Sequence, residues 1–215
     1  MSRHSAAMAV VLLALVLNGC ASFRTDPLPE GLTSQPPADW ADRQQRLQTL
    51  THWQLAGKLA VRQPSDSASA VINSWVQQHE HYALSLSSAF LGLGQTHLEG
   101  TPAYVELTLP DGETYYSTEP EVLIEAATGW QLPMDSLAWW IRGLPGPDAD
   151  FRLFFDSQDQ LAMIRQHGWE VRYDRWRTFF PDQPDLPARI TATKDDKRVR
   201  IAVTAWRALK TRTQP

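Results

Sequence analysis

The chain has 215 residues, Lys+Arg 20 against Asp+Glu 24, 43% hydrophobic residues and one cysteine. The apolar share and the small net charge of −4 exclude a disordered chain. One cysteine excludes a disulfide framework or a cysteine-built zinc site, and the slightly acidic balance argues against a nucleic-acid partner.

The first twenty residues read as an address. Arg3 and His4 form a short basic head, and Ala6 to Leu17 is an unbroken apolar run of 12 residues. A spanning helix needs ~20, so this length suits a signal-peptide core. Leu17-Asn18-Gly19-Cys20 follows and resembles the lipobox of bacterial lipoproteins. The resemblance implies cleavage before Cys20, an S-diacylglycerol on its thiol and an acyl group on its new amine. A plain signal peptide with an incidental cysteine is the alternative. Ala21 and Ser22 follow where Asp would favour the inner membrane, so the lipobox reading points to an outer-membrane anchor with the folded part facing the periplasm.

Residues 1–19 are then the signal peptide and 20–38 a lipidated, Pro-rich tether carrying Pro27, Pro29, Pro36 and Pro37. An extended tether at ~3.1 Å per residue reaches about 50 Å. One domain follows over residues 39–209, with a tail at 210–215. Asp39 is the expected N-cap of a helix bearing Trp40, Leu47 and Leu50. Trp53, Leu55, Gly57, Leu59 and Val61 then alternate with polar or small residues, a strand with one apolar face. Strand patterns continue over Ala68–Gln78, His81–Ser87, Gln95–Gly100, Tyr104–Leu109 and Glu113–Ser117. Two helical stretches come next: Pro120 to Thr128, ended by Gly129, and Ser136 to Arg142, capped by Asp135 and stopped at Gly143. Strands resume over Phe151–Phe155, Leu161–Gln166, Trp169–Arg177, Ala188–Lys194 and Lys197–Trp206. The fold class is mainly β (α+β): an antiparallel meander of about eleven strands that curls round on itself. That many strands enclose more room than the eight or so that a packed barrel needs. The two central helices are the candidates to cover or fill it.

No catalytic pattern is present: no G-x-S-x-G, no H-E-x-x-H and no phosphate-binding loop. No enzymatic activity, metal or diffusible cofactor is therefore expected. His79 and His81 lie two apart without a third ligand, and read as turn histidines. The basic clusters Arg172/Arg175/Arg177 and Lys197/Arg198/Arg200 alternate with apolar residues and read as solvated strand faces. Ser87 to Gln95 (SSAFLGLGQ) breaks the rule that loops are polar, since it carries Phe90, Leu91 and Leu93 among glycines. Those side chains either fold back on the core or dip into a membrane or an apolar partner.

Most of the chain resembles the LolB family of outer-membrane lipoprotein receptors. The resemblance rests on the lipobox, the Leu-Gly loop, Thr128-Gly129-Trp130-Gln131-Leu132-Pro133-Met134, and Leu137-Ala138-Trp139-Trp140-Ile141-Arg142-Gly143-Leu144-Pro145-Gly146. Trp169 to Tyr173 and Pro187 to Ile190 extend it. It implies an unclosed antiparallel barrel of eleven strands whose helices cover an apolar cavity for acyl chains. It implies three partners: the periplasmic carrier LolA, acylated outer-membrane lipoproteins, and outer-membrane phospholipid, met by a monomer. Leu91 is the equivalent of the membrane-inserting leucine, a role that Phe90 or Leu93 could share. The expected cavity lining is Trp53, Leu55, Leu59 and Leu84, with Leu86, Trp139, Trp140 and Ile141. A lipocalin-like lipid-binding lipoprotein and a structural scaffold lipoprotein are the alternatives.

Overall fold

The computed structural model describes residues 28–64, 66–88, 94–130, 132–147 and 150–209. The period-two runs become one antiparallel sheet. Its strands are β1 (His52–Arg62), β2 (Ser67–Gln78), β3 (His81–Ser87), β4 (Gln95–Thr101), β5 (Tyr104–Thr108) and β6 (Thr114–Ser117), then β7 (Phe151–Phe155), β8 (Leu161–Gln166), β9 (Trp169–Arg177), β10 (Leu186–Lys194) and β11 (Lys197–Ala208). The order across the sheet is β6-β5-β4-β3-β2-β1-β11-β10-β9-β8-β7. Two meanders are thus joined through β1 and β11, and the free edges β6 and β7 are consecutive in sequence. Between them the chain inserts α2 (Pro120–Thr128) and α3 (Met134–Trp140). The strands leave the barrel unclosed, and the helices fall where it is open.

Alternation sets which face is inside. In β1, Trp53, Leu55, Gly57, Leu59 and Val61 are buried, and Lys58, Ala60 and Arg62 are exposed. Two later strands change phase. In β2 burial runs Ala70, Ile72 and then Trp75, Gln77, and in β11 it runs Val199, Ile201, Val203 and then Trp206. Both slips sit at register shifts opposite Leu55–Gly57 of β1, where β2 and β11 each carry an extra residue. One extra residue turns the following side chains to the opposite face and increases the local twist, which helps the sheet to curl. Gly57 is required there, because a Cβ would run into the Ala202 carbonyl of the neighbouring strand. The β8–β9 turn is His167-Gly168, both at positive φ, between the paired Gln166 and Trp169.

Three details differ from expectation. Asp39 stands at the N-terminus of α1 (Trp40–Gln48), but its side chain makes no capping bond. The chain enters α1 from a turn in which the Trp40 amide donates to the Pro37 carbonyl, leaving Asp39 at φ −90, ψ 0. Asp135 does not cap α3 either. Pro133 holds that position and Asp135 lies in the first turn, where a carboxylate still favours the positive end of the helix dipole. Nor do the chain's contacts begin only at Asp39. Thr33 exchanges backbone hydrogen bonds with Phe155 (2.9 and 2.8 Å). This segment covers part of the β7 edge, so residues before Asp39 already belong to the folded part.

Candidate functional site

The inner face of β1–β5 is built in rows, because antiparallel pairing sets buried residues of successive strands side by side. One row reads Leu55, Trp75, Leu84, Leu98, Leu107, and the next Gly57, Ile72, Leu86, Thr96. Above them sit Ile124 of α2, then Trp130 and Leu132 of the α2–α3 connection, then Met134 and Leu137 of α3, all buried. Sheet and lid enclose a cavity of about 40 Å³ whose walls are hydrocarbon apart from Thr96 and Thr128. Ligand pockets for drug-sized molecules occupy ~300–1,000 Å³, so this cavity is far below that size.

The connection is pinned at its start. Gly129 ends α2 in the left-handed region (φ 70). The Thr128 hydroxyl donates to the Ile124 carbonyl (2.6 Å) and accepts from the Trp130 amide (3.0 Å). The Gln63 amide group donates to the Gly129 carbonyl. The far end of α3 is held more firmly. Gln166, 2% exposed, accepts from Trp140 Nε1 (2.9 Å) and from the Gly146 amide (2.8 Å), and donates to the Gly146 carbonyl (2.9 Å). Tyr173 Oη donates to the Trp140 carbonyl (3.0 Å), and burial pushes that phenol's pKa well up. Arg142 donates to the carbonyls of Ala138 and Leu50 (both 3.0 Å) and lies over the Trp139 ring, 4.5 Å from its centre. Burial draws its guanidinium down to about 10. The segment Trp140 to Gly146 is buried throughout, so the W-I-x-G-L-P-G run is an anchor for the lid and not part of the cavity wall.

Beside the cavity lies a groove of about 630 Å³ at the β2–β3 and β8–β9 ends of the sheet. Trp53, Gln77 and Tyr82 line it from the sheet, and Asp135 and Trp139 from α3. Met134 borders both spaces. Glu121 also faces the groove. Burial first, then the nearby Asp135, raises its carboxyl pKa.

The expected lining residues thus fall into three places. Leu59, Leu84 and Leu86 line the cavity, and Leu55 is buried in the same row as Leu84. Trp53 and Trp139 line the groove. Trp140 and Ile141 are fully buried at the lid's anchor. Trp75, Leu98, Leu107, Trp130, Leu132 and Met134 were missed as lining. Strand alternation carried the signal for the first three, and the apolar excess after Gly129 carried it for the others. Cys20, Phe90, Leu91 and Leu93 lie outside the described residues, which place Ser88 and Gly94 on either side of the apolar tip. The two histidines part: His79, at φ 53, stacks edge-on with His52, whereas His81 Nε2 lies 3.1 Å from the Glu99 carboxylate. Among the described residues no cluster could hold a metal ion. Arg172 pairs with Glu170 at 2.7 Å, and Arg175, Arg198 and Arg200 are exposed on the outer face.

A family model described as outer membrane lipoprotein LolB matches residues 51–206. The outer-membrane lipoprotein LolB of Marinobacter nauticus is 59% identical over 199 residues, covering 93% of this chain and 96% of that protein. The corresponding protein of Pseudomonas fluorescens is 37% identical over 210 residues, 97% of either chain. Among solved structures, a LolA superfamily protein from Nitrosomonas europaea covers 79% of this chain and 94% of its own, at 7% identity and a TM-score of 0.47.

Proposed function

Because the chain belongs to the LolB family of outer-membrane lipoproteins, we propose that its folded domain receives acylated lipoproteins from the periplasmic carrier LolA and hands them to the outer membrane. Cys20 carries the lipid anchor in this reading, and the Phe90–Leu93 tip enters the bilayer. The observation that carries it is the hydrocarbon-walled cavity between the sheet and the α2–α3 connection. Exposed acyl chains are costly in water: at ~0.8 kcal/mol per CH₂, a chain of roughly sixteen carbons is penalised by about 12 kcal/mol. Release into water is negligible at that cost, so a chain passes only between covered sites. Transfer runs downhill in affinity, from carrier to this domain to bilayer, with no nucleotide consumed. At about 40 Å³ the cavity admits a chain only when the α2–α3 connection lifts. The close packing of the interior also favours a second reading, a scaffold lipoprotein with a filled core.

A soluble Cys20→Ala protein tests both. Mixed with carrier loaded with a lipoprotein, it should take the cargo in a pull-down and should bind a fluorescent fatty acid. Absence of both would leave the scaffold reading standing. In the same background Leu91→Glu should leave uptake unchanged and cut delivery into liposomes by about tenfold, since a carboxylate strongly resists entry into hydrocarbon. A melting temperature lowered by more than a few degrees would instead place Leu91 in the core.

A further inference from the structure

We propose that Trp53 and Tyr82, on the groove floor, bind the ester carbonyl oxygens of the diacylglyceryl group on the cargo's lipidated cysteine. The inference rests on the acyl-binding reading above and goes beyond it, by assigning the site that holds the polar head of the lipid.

Antiparallel pairing places Trp53, Gln77 and Tyr82 in one row on β1, β2 and β3. The next row inward is Leu55, Trp75, Leu84 and Leu98, whose one polar side-chain atom, Trp75 Nε1, is turned to Gln77. Rows on one face lie two residues apart, roughly 7 Å along the strands. The wall thus changes from hydrogen-bonding to hydrocarbon within one row. An acylated head has the same profile: carbonyl oxygens, then methylene chains.

The donors of the row are unsatisfied. Trp53 is 0% exposed and Tyr82 4%, and neither Trp53 Nε1 nor Tyr82 Oη has a hydrogen-bond partner among the described residues. Both line the groove. Indole N–H only donates, so Trp53 calls for an acceptor. Gln77, between them, is already committed: its oxygen accepts from Trp75 Nε1 (3.3 Å) and its nitrogen donates to the His79 carbonyl (2.8 Å). It separates two open donors whose strands are about 10 Å apart, a spacing that long side chains bridge to two carbonyls of one head. Gly100 continues the row on β4, where a Cβ would run into the Tyr104 carbonyl of the neighbouring strand. Burial, and then the nearby Asp135, raises the Tyr82 pKa, so the phenol keeps its proton as a donor. Past Met134, which borders both spaces, the chains would run under the lid.

The test uses the soluble Cys20→Ala chain and two labelled lipopeptides, one with S-linked dipalmitoylglycerol and one with the dihexadecyl ether analogue, which lacks both carbonyls. The unaltered groove should bind the ester about 5- to 20-fold more tightly than the ether. Tyr82→Phe should weaken the ester by a similar factor and leave the ether unchanged. Trp53→Phe should do the same, and Tyr82→Phe alone decides if that variant does not fold. Equal affinity for ester and ether, or equal loss of both in Tyr82→Phe, overturns the assignment. Failure of the parent to bind either lipopeptide would instead count against acyl binding itself.

Discussion

Replacing Gln166 with Leu should lower the melting temperature by about 8–16 °C. The substitution removes three buried hydrogen bonds: one from Trp140 Nε1 and two with the Gly146 backbone. Leucine has nearly the right volume, so the hydrophobic term changes little. What remains is a buried indole N–H, an amide and a carbonyl without partners, each costing ~1–3 kcal/mol. About 4 kcal/mol is a conservative sum, and a domain of this size loses roughly 2–4 °C per kcal/mol. Thermal unfolding followed by circular dichroism reads the shift. A fall of less than 2 °C would mean that the anchor holds α3 by packing alone, through Ile141 and Leu144. The near-ultraviolet signal should change too, because Trp140 lies 6.2 Å from the Trp169 ring and loses the bond that orients it.

Gln166 also shows where sequence reasoning stops. In sequence it is the last residue of a strand before a turn, and nothing local marks it as buried. Its role comes from Gly146, twenty residues away, and from the indole of Trp140. The strands themselves were legible, since alternation in β1 or β11 is a local pattern that the sheet must obey. The bulges were not, because one extra residue in β2, unmatched in β1 and β3, leaves no mark in composition. The cap at Asp135 was misread, because Pro133 takes that position, whereas Asp39 does hold the N-cap position of α1 without a side-chain bond. Among the site residues, Leu59, Leu84 and Leu86 followed from facing inward. Trp140 and Ile141 are as apolar as any lining residue, and only the tertiary fold reveals that they anchor the lid. The lid's excess of apolar residues was visible, but its closeness to the sheet was not. Cavity volume depends on how side chains of distant elements interdigitate.

Met134→Ala should make the domain less stable and its interior easier to enter. Met134 is 4% exposed and separates the groove from the cavity. Its unbranched thioether packs closely yet changes rotamer easily, which suits a plug that chains must pass. Truncation should cost about 2–4 kcal/mol, the usual penalty for emptying a buried methionine site, and the melting temperature should fall by roughly 5–12 °C. The freed space joins a groove of about 630 Å³ to the cavity. Stopped-flow uptake of a fluorescent fatty acid should then quicken by about tenfold, the effect of lowering a barrier by ~1.4 kcal/mol. Met134→Leu supplies the matching control, because it conserves volume and should cost less than about 1.5 kcal/mol. Gln166→Leu supplies the other, since it loosens the same helix without widening the passage. Faster uptake in Met134→Ala alone identifies Met134 as the partition. Equal acceleration in Gln166→Leu would show that entry is limited by the motion of α3 as a whole, and unchanged uptake in both would place the route elsewhere.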